Sequence, residues 1–405
     1  MSIINQERPV QAVILAGGLG TRLRPITNTI PKPMIPFHGK PFLEFILEML
    51  VEQGFKKVVI LLGYLPEKVV SYFGDGSKIG INIEYSITDI DDDTGLRLQK
   101  AKHLFDPIFT LLYCDNYWPM DFEKMWQKFC DSSVSALVTV YMNKDNYTKS
   151  NLRIDNEDFI EVYDKTREAP NLHGVDIGFF IIKREVIDRI PNGNHNFEKT
   201  VIPQLINERQ IITYPTEHRY YSVGSHERLK ITEIFLERRK TIILDRDGVI
   251  NVKAPKAKYI TKWEEWEWIK GSKEALIKLK EAGFQIILVT NQAGIARGFM
   301  TESDLKEIHE NVNVELAKSG CEIDKIFYCA HGWDDNCDCR KPKPGLLYLA
   351  QHEFHLDLSK IWFVGDDLRD EQAGKAAGMK TAIVEGEFGL LNFIHSEKSI
   401  HIGDF

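Results

Sequence analysis

No apolar run in this chain approaches 18 residues, so a membrane-spanning helix is not expected. The opening MSIINQERPV carries no basic segment leading into an apolar one, so a secretory leader is not expected either. Cysteine is scarce: 6 in 405 residues are too few for a disulfide scaffold. A surplus of positive charge is missing as well. The 51 lysines and arginines against 59 acids leave a formal net charge of −8, which argues against a nucleic-acid-binding surface. That figure is silent about small phosphorylated ligands, which need only local positive charge. These absences set the expectation of a cytoplasmic enzyme with no nucleic-acid and no membrane partner, and leave homo-oligomerisation open.

What is present is a soluble globular composition, 43% hydrophobic and 27% charged. At 405 residues the chain exceeds one ordinary core, so two or three domains are expected. The stretch TIILDRDGVIN (residues 241–251) organises the reading. An apolar run delivers two aspartates, one position apart, to a glycine turn, which suits chemistry better than packing. It follows a helical segment expected over residues 227–240. The chain therefore reads as starting a second time here, with domains over 1–238 and 239–405.

The first half opens with QAVILAGGLGTRLRPIT (residues 11–27), a buried-strand pattern running into a turn with Gly17, Gly18 and Gly20. A backbone of this kind can approach a phosphate, and Thr21, Arg22 and Arg24 follow at once. PKPMIP (residues 31–36) is stiff and holds Lys32 in a nearly fixed place. KKVVILL (residues 56–62) and short strands near Ile83, Phe109 and Ala136 alternate with helices. LLYCDN (residues 111–116) ends a second apolar strand on Asp115. Together GGLGTRLRP and PKPMIP resemble the sugar-1-phosphate nucleotidyltransferases, through about residue 235. VDIGFFIIKREV (residues 175–186) is similar to that family's sugar-pocket strand, and SVGSHERL to its closing metal-site segment.

The resemblance implies a GT-A-like mixed sheet and transfer of a nucleotidyl group from an NTP to a sugar 1-phosphate. Gly17, Gly18, Gly20 and Thr21 would cradle the nucleotide, while Arg22 and Lys32 hold the triphosphate. Asp115 would bind Mg²⁺, and Lys165 in DKTREA would pair with the sugar phosphate. Ser222 stands where the family has its second metal-binding aspartate. The base-recognition loop DDDTGLRLQKA (residues 91–101) leaves the nucleobase open.

In the second half four apolar runs end on polar residues. TIIL leads to Asp245 and Asp247, QIILVT to Thr290 and Asn291, KIFYC into a cysteine loop, and IWFVG to Asp366. Helices are expected over residues 272–281 and 302–318, so the order is that of a parallel sheet with its ligand beyond the strand ends. Asp245 can attack phosphorus as a nucleophile, and Asp247 can act as general acid and then base. Asp366 would complete a Mg²⁺ site with Asp245. Thr290 and Asn291 can donate to phosphoryl oxygens, and Lys341 can offset the charge in flight.

LDRDGVIN, VTNQAGIARG, CRKPKPG and VGDDLRD resemble the four motifs of the haloacid-dehalogenase phosphatases, over about residues 241–386. Within that superfamily they are similar to the heptose 1,7-bisphosphate and histidinol-phosphate branches. This implies an HAD-like fold without a large cap and a Mg²⁺ site that includes Asp245, Asp247 and Asp366. Cys329, His331, Cys337 and Cys339 form a soft donor set suited to a structural Zn²⁺, which would pin the loop presenting Arg340 and Lys341. Joined, the two halves suggest sugar phosphates and an NTP as substrates, with a GDP-heptose as product. A phosphatase for another small phosphate, carrying a first half that only binds nucleotide or assembles oligomers, remains the alternative.

Overall fold

The computed structural model describes residues 7–256 and 258–396; the first six residues of the stretch read for a leader lie outside it. By contacts the chain separates into two compact units, one ending at Leu236 and the next beginning at Glu237. No helix among the described residues is long and apolar enough to cross a membrane.

The first unit is built on β1 (Gln11–Ala16), β2 (Lys57–Leu62), β3 (Asn82–Ile87), β4 (Ile108–Tyr113), β5 (Ala136–Tyr141), β6 (Val175–Lys183) and β7 (Ile211–Thr216). They form one seven-stranded sheet in the order β7-β5-β6-β4-β1-β2-β3. Only β6 runs against its neighbours, so the sheet is mixed. Both faces are covered at the centre of the sheet, which is why inner strands such as β1, β2 and β5 read as continuous apolar runs. Ala12 and Ile14 pack into one core while Val13 and Leu15 pack into the other, the two-residue period of a strand. The chain leaves β1 toward β2 and β3 on one side and returns to β4 on the other. The crevice beyond the carboxyl ends of β1 and β4 is therefore the expected ligand position. The last helix, α1 (His226–Leu236), stops short of the expected residue 240. Arg238 sits at φ 49°, in the left-handed region that ends helices.

The second unit repeats this logic with β8 (Thr241–Leu244), β9 (Gln285–Asn291), β10 (Lys325–Cys329), β11 (Trp362–Gly365) and β12 (Lys380–Ile383). All are parallel, in the order β10-β9-β8-β11-β12. The order reverses between β8 and β11, so their carboxyl ends mark the second crevice. Between β8 and β9 lie a 3-10 turn (Trp263–Glu265) and α2 (Ser272–Glu281), and no cap domain is inserted among the described residues. Helix α3 (Glu302–Ala317) opens on a capping box of Thr301 and Asp304. Helix α4 (Leu368–Ala376) opens on a box of Asp367 and Asp370.

Candidate active sites

In the first unit the end of β1 passes into Gly17, Gly18 and Gly20, and the end of β4 into Asp115. Gly20, at φ 64°, turns the chain into a short 3-10 segment that carries Thr21 and Arg22. Lys32 sits between Pro31 and Pro33 at the start of another. Gly17, Gly18, Gly20, Thr21, Arg22, Lys32 and Asp115 all line one cavity of about 350 Å³. Lys32 Nζ lies 2.5 Å from Asp115 Oδ2. Burial works to raise the Asp115 pKa, but the Lys32 ammonium, helped by Arg22, outweighs it and holds the carboxyl below its ordinary value. The cavity thus has a cationic end made for phosphate. Its other end is bounded by Asp92, Asp93, Thr94 and Arg97.

Arg97 carries no signal of its own in the sequence, and it is buried. The expected loop over residues 91–101 is largely a helix, Thr94–Ala101. From it the Arg97 guanidinium donates to Leu62 O at 2.8 Å, Asp89 O at 2.8 Å and Ile90 O at 3.1 Å, tying this helix to the end of β2 and to the segment after β3. A Cβ on Gly17 would stand 2.4 Å from its Cζ, so Gly17 is required by Arg97 as much as by any ligand.

Lys165 does not line this cavity. Its Nζ pairs with Glu198 Oε2 at 2.8 Å and lies 5.2 Å from the centre of the Tyr163 ring. Ser222 pairs in register with Asn116, and Val223 N donates to Asp115 O at 3.0 Å, so this segment borders the Asp115 turn. Among the described residues no group of three metal-binding side chains includes Asp115. One carboxylate already paired with an ammonium is not a Mg²⁺ site by itself; a hard cation here needs oxygens that a nucleotide brings.

In the second unit Asp245, Asp366 and Asp370 place carboxylate oxygens within 4.8 Å of one another. Lys341 Nζ bridges them, 2.7 Å from Asp245 Oδ1 and 2.6 Å from Asp370 Oδ1, and donates to Val289 O at 3.0 Å. Burial raises the Asp245 pKa, with Asp370 and Asp247 adding to it and Lys341 opposing. Lys341 is raised, because Asp245 and Asp370 outweigh its own burial. Lys253 Nζ meets Asp366 Oδ2 at 2.7 Å, while Asp366 Oδ1 is buried with no hydrogen-bond partner. Three converging carboxylates with an unmet oxygen suit a hard divalent cation. Two glycines make the approach feasible. A Cβ on Gly248, at φ 94°, would stand 2.2 Å from Asp366 Oδ2, and one on Gly365 would stand 2.2 Å from Asp370 Cβ.

The carboxylate cluster differs from the expected set in one member. The clustered carboxylates include Asp370 in place of Asp247, which lines the same cavity as they do but is engaged by other partners. The Asp247 carboxylate accepts from Arg246 Nη2 at 2.9 Å, Gln292 Nε2 at 2.8 Å and Asn251 Nδ2 at 3.0 Å, with Thr290 Oγ1 at 3.4 Å. Burial pushes its pKa up, but Arg246 and these donors prevail and keep it below the usual value. Asn291 lines the same cavity and also holds the loop. Its side chain accepts from Lys341 N at 3.1 Å and donates to Lys341 O at 3.2 Å, so it clamps the backbone that carries the lysine. Arg340 lines the same cavity, of about 480 Å³, with one buried guanidinium nitrogen unpartnered. Tyr259 and Trp333 form part of its wall.

Sequence reasoning misses Asp370, Arg246, Gln292, Asn251 and Lys253. For Asp370 a signal exists, since VGDDLRD carries a third acid one helical turn on. For Arg246 and Gln292 the signal is adjacency to the motif residues.

Cys329, His331, Cys337 and Cys339 converge. Sγ of Cys339 lies 3.3 Å from that of Cys329 and 3.5 Å from that of Cys337, and Cys329 lies 3.7 Å from Cys337. His331 Nδ1 is 3.1 Å from Cys339 Sγ and 3.6 Å from Cys329 Sγ. These separations are too long for a disulfide, at about 2.05 Å. They approach the edges of a tetrahedron, about 3.5–3.8 Å, generated by Zn–S of about 2.3 Å and Zn–N of about 2.0 Å. The donor set and its spacing fit zinc.

Comparison with known proteins matches each unit. Residues 11–238 match the model of the nucleotidyl transferase family. Residues 176–378 match that of the haloacid dehalogenase-like hydrolases. The two matches overlap over residues 176–238, and there the fold decides: β6 and β7 belong to the first unit's sheet. A Pseudomonas aeruginosa protein, D-glycero-beta-D-manno-heptose-1,7-bisphosphate 7-phosphatase, is 44% identical over 147 residues, covering 36% of this chain and 82% of its own length. The crystal structure of a D,D-heptose 1,7-bisphosphate phosphatase from B. bronchiseptica, complexed with magnesium and phosphate, is 38% identical with a TM-score of 0.36. It covers 39% of this chain and 87% of that one. A Bacillus anthracis structure bearing the name glucose-1-phosphate thymidylyltransferase, with bound sucrose, has a TM-score of 0.50 at 22% identity. It covers 55% of this chain and 93% of that one, a likeness of fold.

Proposed function

From a chain that belongs to the nucleotidyl transferase family in its first half and to the haloacid dehalogenase-like hydrolases in its second, we propose a bifunctional cytoplasmic enzyme of sugar-nucleotide biosynthesis. The second unit removes the 7-phosphate of D-glycero-D-manno-heptose 1,7-bisphosphate. The first joins the resulting heptose 1-phosphate to an NTP, GTP favoured, with release of pyrophosphate.

The observation that carries the phosphatase reading is the buried Lys341 between Asp245 and Asp370, beside Asp366. An Asp245 oxygen attacks phosphorus, the bond from phosphorus to the sugar oxygen breaks, and that oxygen takes a proton from Asp247. Asp247 rests as a carboxylate, so this proton reaches it first, with the substrate or from solvent. Water then attacks the aspartyl-phosphate, Asp247 takes its proton, and phosphate leaves with Asp245 restored. Lys341 and Arg340 neutralise the phosphoryl oxygens throughout. Mg²⁺, held by Asp245 and Asp366 with Asp370 close by, supplies further charge stabilisation when bound. Zn²⁺ on Cys329, His331, Cys337 and Cys339 is given a structural part, holding the loop that presents Arg340 and Lys341.

In the first unit Arg22 and Lys32 hold the triphosphate while the sugar phosphate oxygen attacks the α-phosphorus and pyrophosphate departs. Lys165, paired with Glu198 outside the cavity that Arg22 and Lys32 line, is assigned the sugar phosphate from the sequence resemblance alone. A second reading, nucleotide binding without transfer, is favoured by one observation: among the described residues Asp115 belongs to no group of three metal-binding side chains, and Ser222 stands on the neighbouring segment. Phosphate release from heptose bisphosphate, histidinol phosphate and simpler esters tests the phosphatase assignment. Preference for histidinol phosphate would overturn the heptose substrate.

A further inference from the structure

The second unit buries an arginine to which phosphoryl transfer as proposed gives no task. Arg246, between the two motif aspartates, is 1% exposed and is the largest of the fully buried side chains among the described residues. A buried guanidinium is tolerated only when paired and hydrogen-bonded. Two of its nitrogens serve Asp247: Nη2 reaches both carboxylate oxygens at 2.9 Å and Nε reaches Oδ2 at 3.2 Å. The remaining one, Nη1, lies 3.2 Å from His309 Nε2 on α3, and the guanidinium carbon stands 5.8 Å from the centre of the Trp266 ring.

The direction of the contact to His309 follows from chemistry. Arginine has donors and no acceptor, so Nε2 is the bare nitrogen and the ring proton sits on Nδ1. Burial and the neighbouring Arg246 charge keep the ring neutral, with its pKa lowered to about 3. A neutral imidazole in one tautomer is a fixed acceptor at the back of the arginine.

We infer that His309 is a positioning residue for phosphoryl transfer: by accepting from Arg246 it locks the guanidinium against Asp247, and so sets the direction in which that carboxylate meets the leaving-group oxygen. The chain of contact runs from α3 through two side chains to the catalytic loop. Conserving the tautomer and the acceptor is the function; charge on the ring would oppose Arg246. The inference rests on the phosphatase reading but not on which sugar is the substrate.

The test compares His309→Leu, which removes the acceptor, with His309→Gln, which restores one through its amide oxygen. Turnover is read on para-nitrophenyl phosphate, so a wrong heptose assignment leaves the comparison intact. The leucine variant is expected to lose about 10- to 100-fold in kcat, with KM little changed, and the glutamine variant to recover most of it. Nitrogen NMR of the wild-type protein should find Nδ1 protonated and Nε2 bare, a readout independent of any substrate and of how the variants fold. Full kcat in His309→Leu, equal impairment of the two variants, or a protonated Nε2 would each overturn the inference.

Discussion

Replacing Lys341 with methionine removes an ammonium held 2.7 Å from Asp245 and 2.6 Å from Asp370, at a side chain only 3% exposed. Methionine fills similar space without charge or donors, so two buried carboxylates are left facing each other. Removing one partner of a buried ion pair costs about 3–5 kcal/mol. For a unit of this size that is about 6–20 °C in Tm. The loss should depend on pH, with a sign that can be worked out. Asp245 already has a raised pKa from burial and from Asp370 and Asp247, and Lys341 opposes them. Without the lysine the pKa rises further. A carboxyl that holds its proton more tightly when folded favours folding below its unfolded pKa. That advantage disappears as the pH rises through the folded value. The deficit of Lys341→Met should therefore be small at pH 5 and large at pH 8. Calorimetry in magnesium-free buffer, with zinc retained, reads both. Adding Asp370→Asn removes one of the two opposed charges and should return about 0.5–3 kcal/mol as a coupling term. A deficit independent of pH, or no deficit, would refute the assignment of Lys341 as the charge that holds this site together.

The same geometry makes three further outcomes testable. Gly248→Ala puts a Cβ 2.2 Å from Asp366 Oδ2 at φ 94°, so Mg²⁺ affinity, read by calorimetric titration, should weaken about 10- to 100-fold while zinc content stays constant. Cys337→Ser should lower bound zinc below one per chain by elemental analysis and depress phosphate release, while the first unit's activity persists; full zinc occupancy would contradict the four-ligand cluster. Lys32→Met removes the charge that outweighs burial at Asp115, so its pKa should rise. Pyrophosphate release should fall about 10²- to 10³-fold, and its acidic limb should move to higher pH; an unmoved limb would mean Asp115 does not titrate in that profile.

The strand-end residues are legible in the sequence because a buried strand can be read from its apolar run, and the residue after it must emerge at the crevice. Asp245, Asp366 and Asp115 all reach their cavities this way, whereas Arg22 and Lys32 come from 3-10 segments of the loop that follows β1. Residues a turn beyond the strand end are less legible, because side-chain direction there is set by tertiary contacts. Asp247 precedes a glycine at φ 94° and its carboxylate is held by Arg246, a pairing no spacing rule encodes. Asp370 hides behind a local role, since an acid three residues after Asp367 is also the third position of a capping box. At Asn291 the backbone of Lys341 engages the amide oxygen and one of its two N–H donors, a clamping role that the sequence does not announce. Arg246 and Arg97 show the same limit from the other side: arginine reads as exposed, and only the fold reveals that each is buried and hydrogen-bonded.

The most direct measurement of the central claim is a single reaction in which purified protein meets heptose 1,7-bisphosphate, Mg²⁺ and each of four NTPs, with phosphate and pyrophosphate followed separately. Phosphate should appear first and pyrophosphate after it, with GTP the best nucleotide. Asp245→Asn should abolish the first signal and leave pyrophosphate release from added heptose 1-phosphate intact. Phosphate release without pyrophosphate from any of the four nucleotides would contradict the bifunctional account and leave the first unit as a binding module.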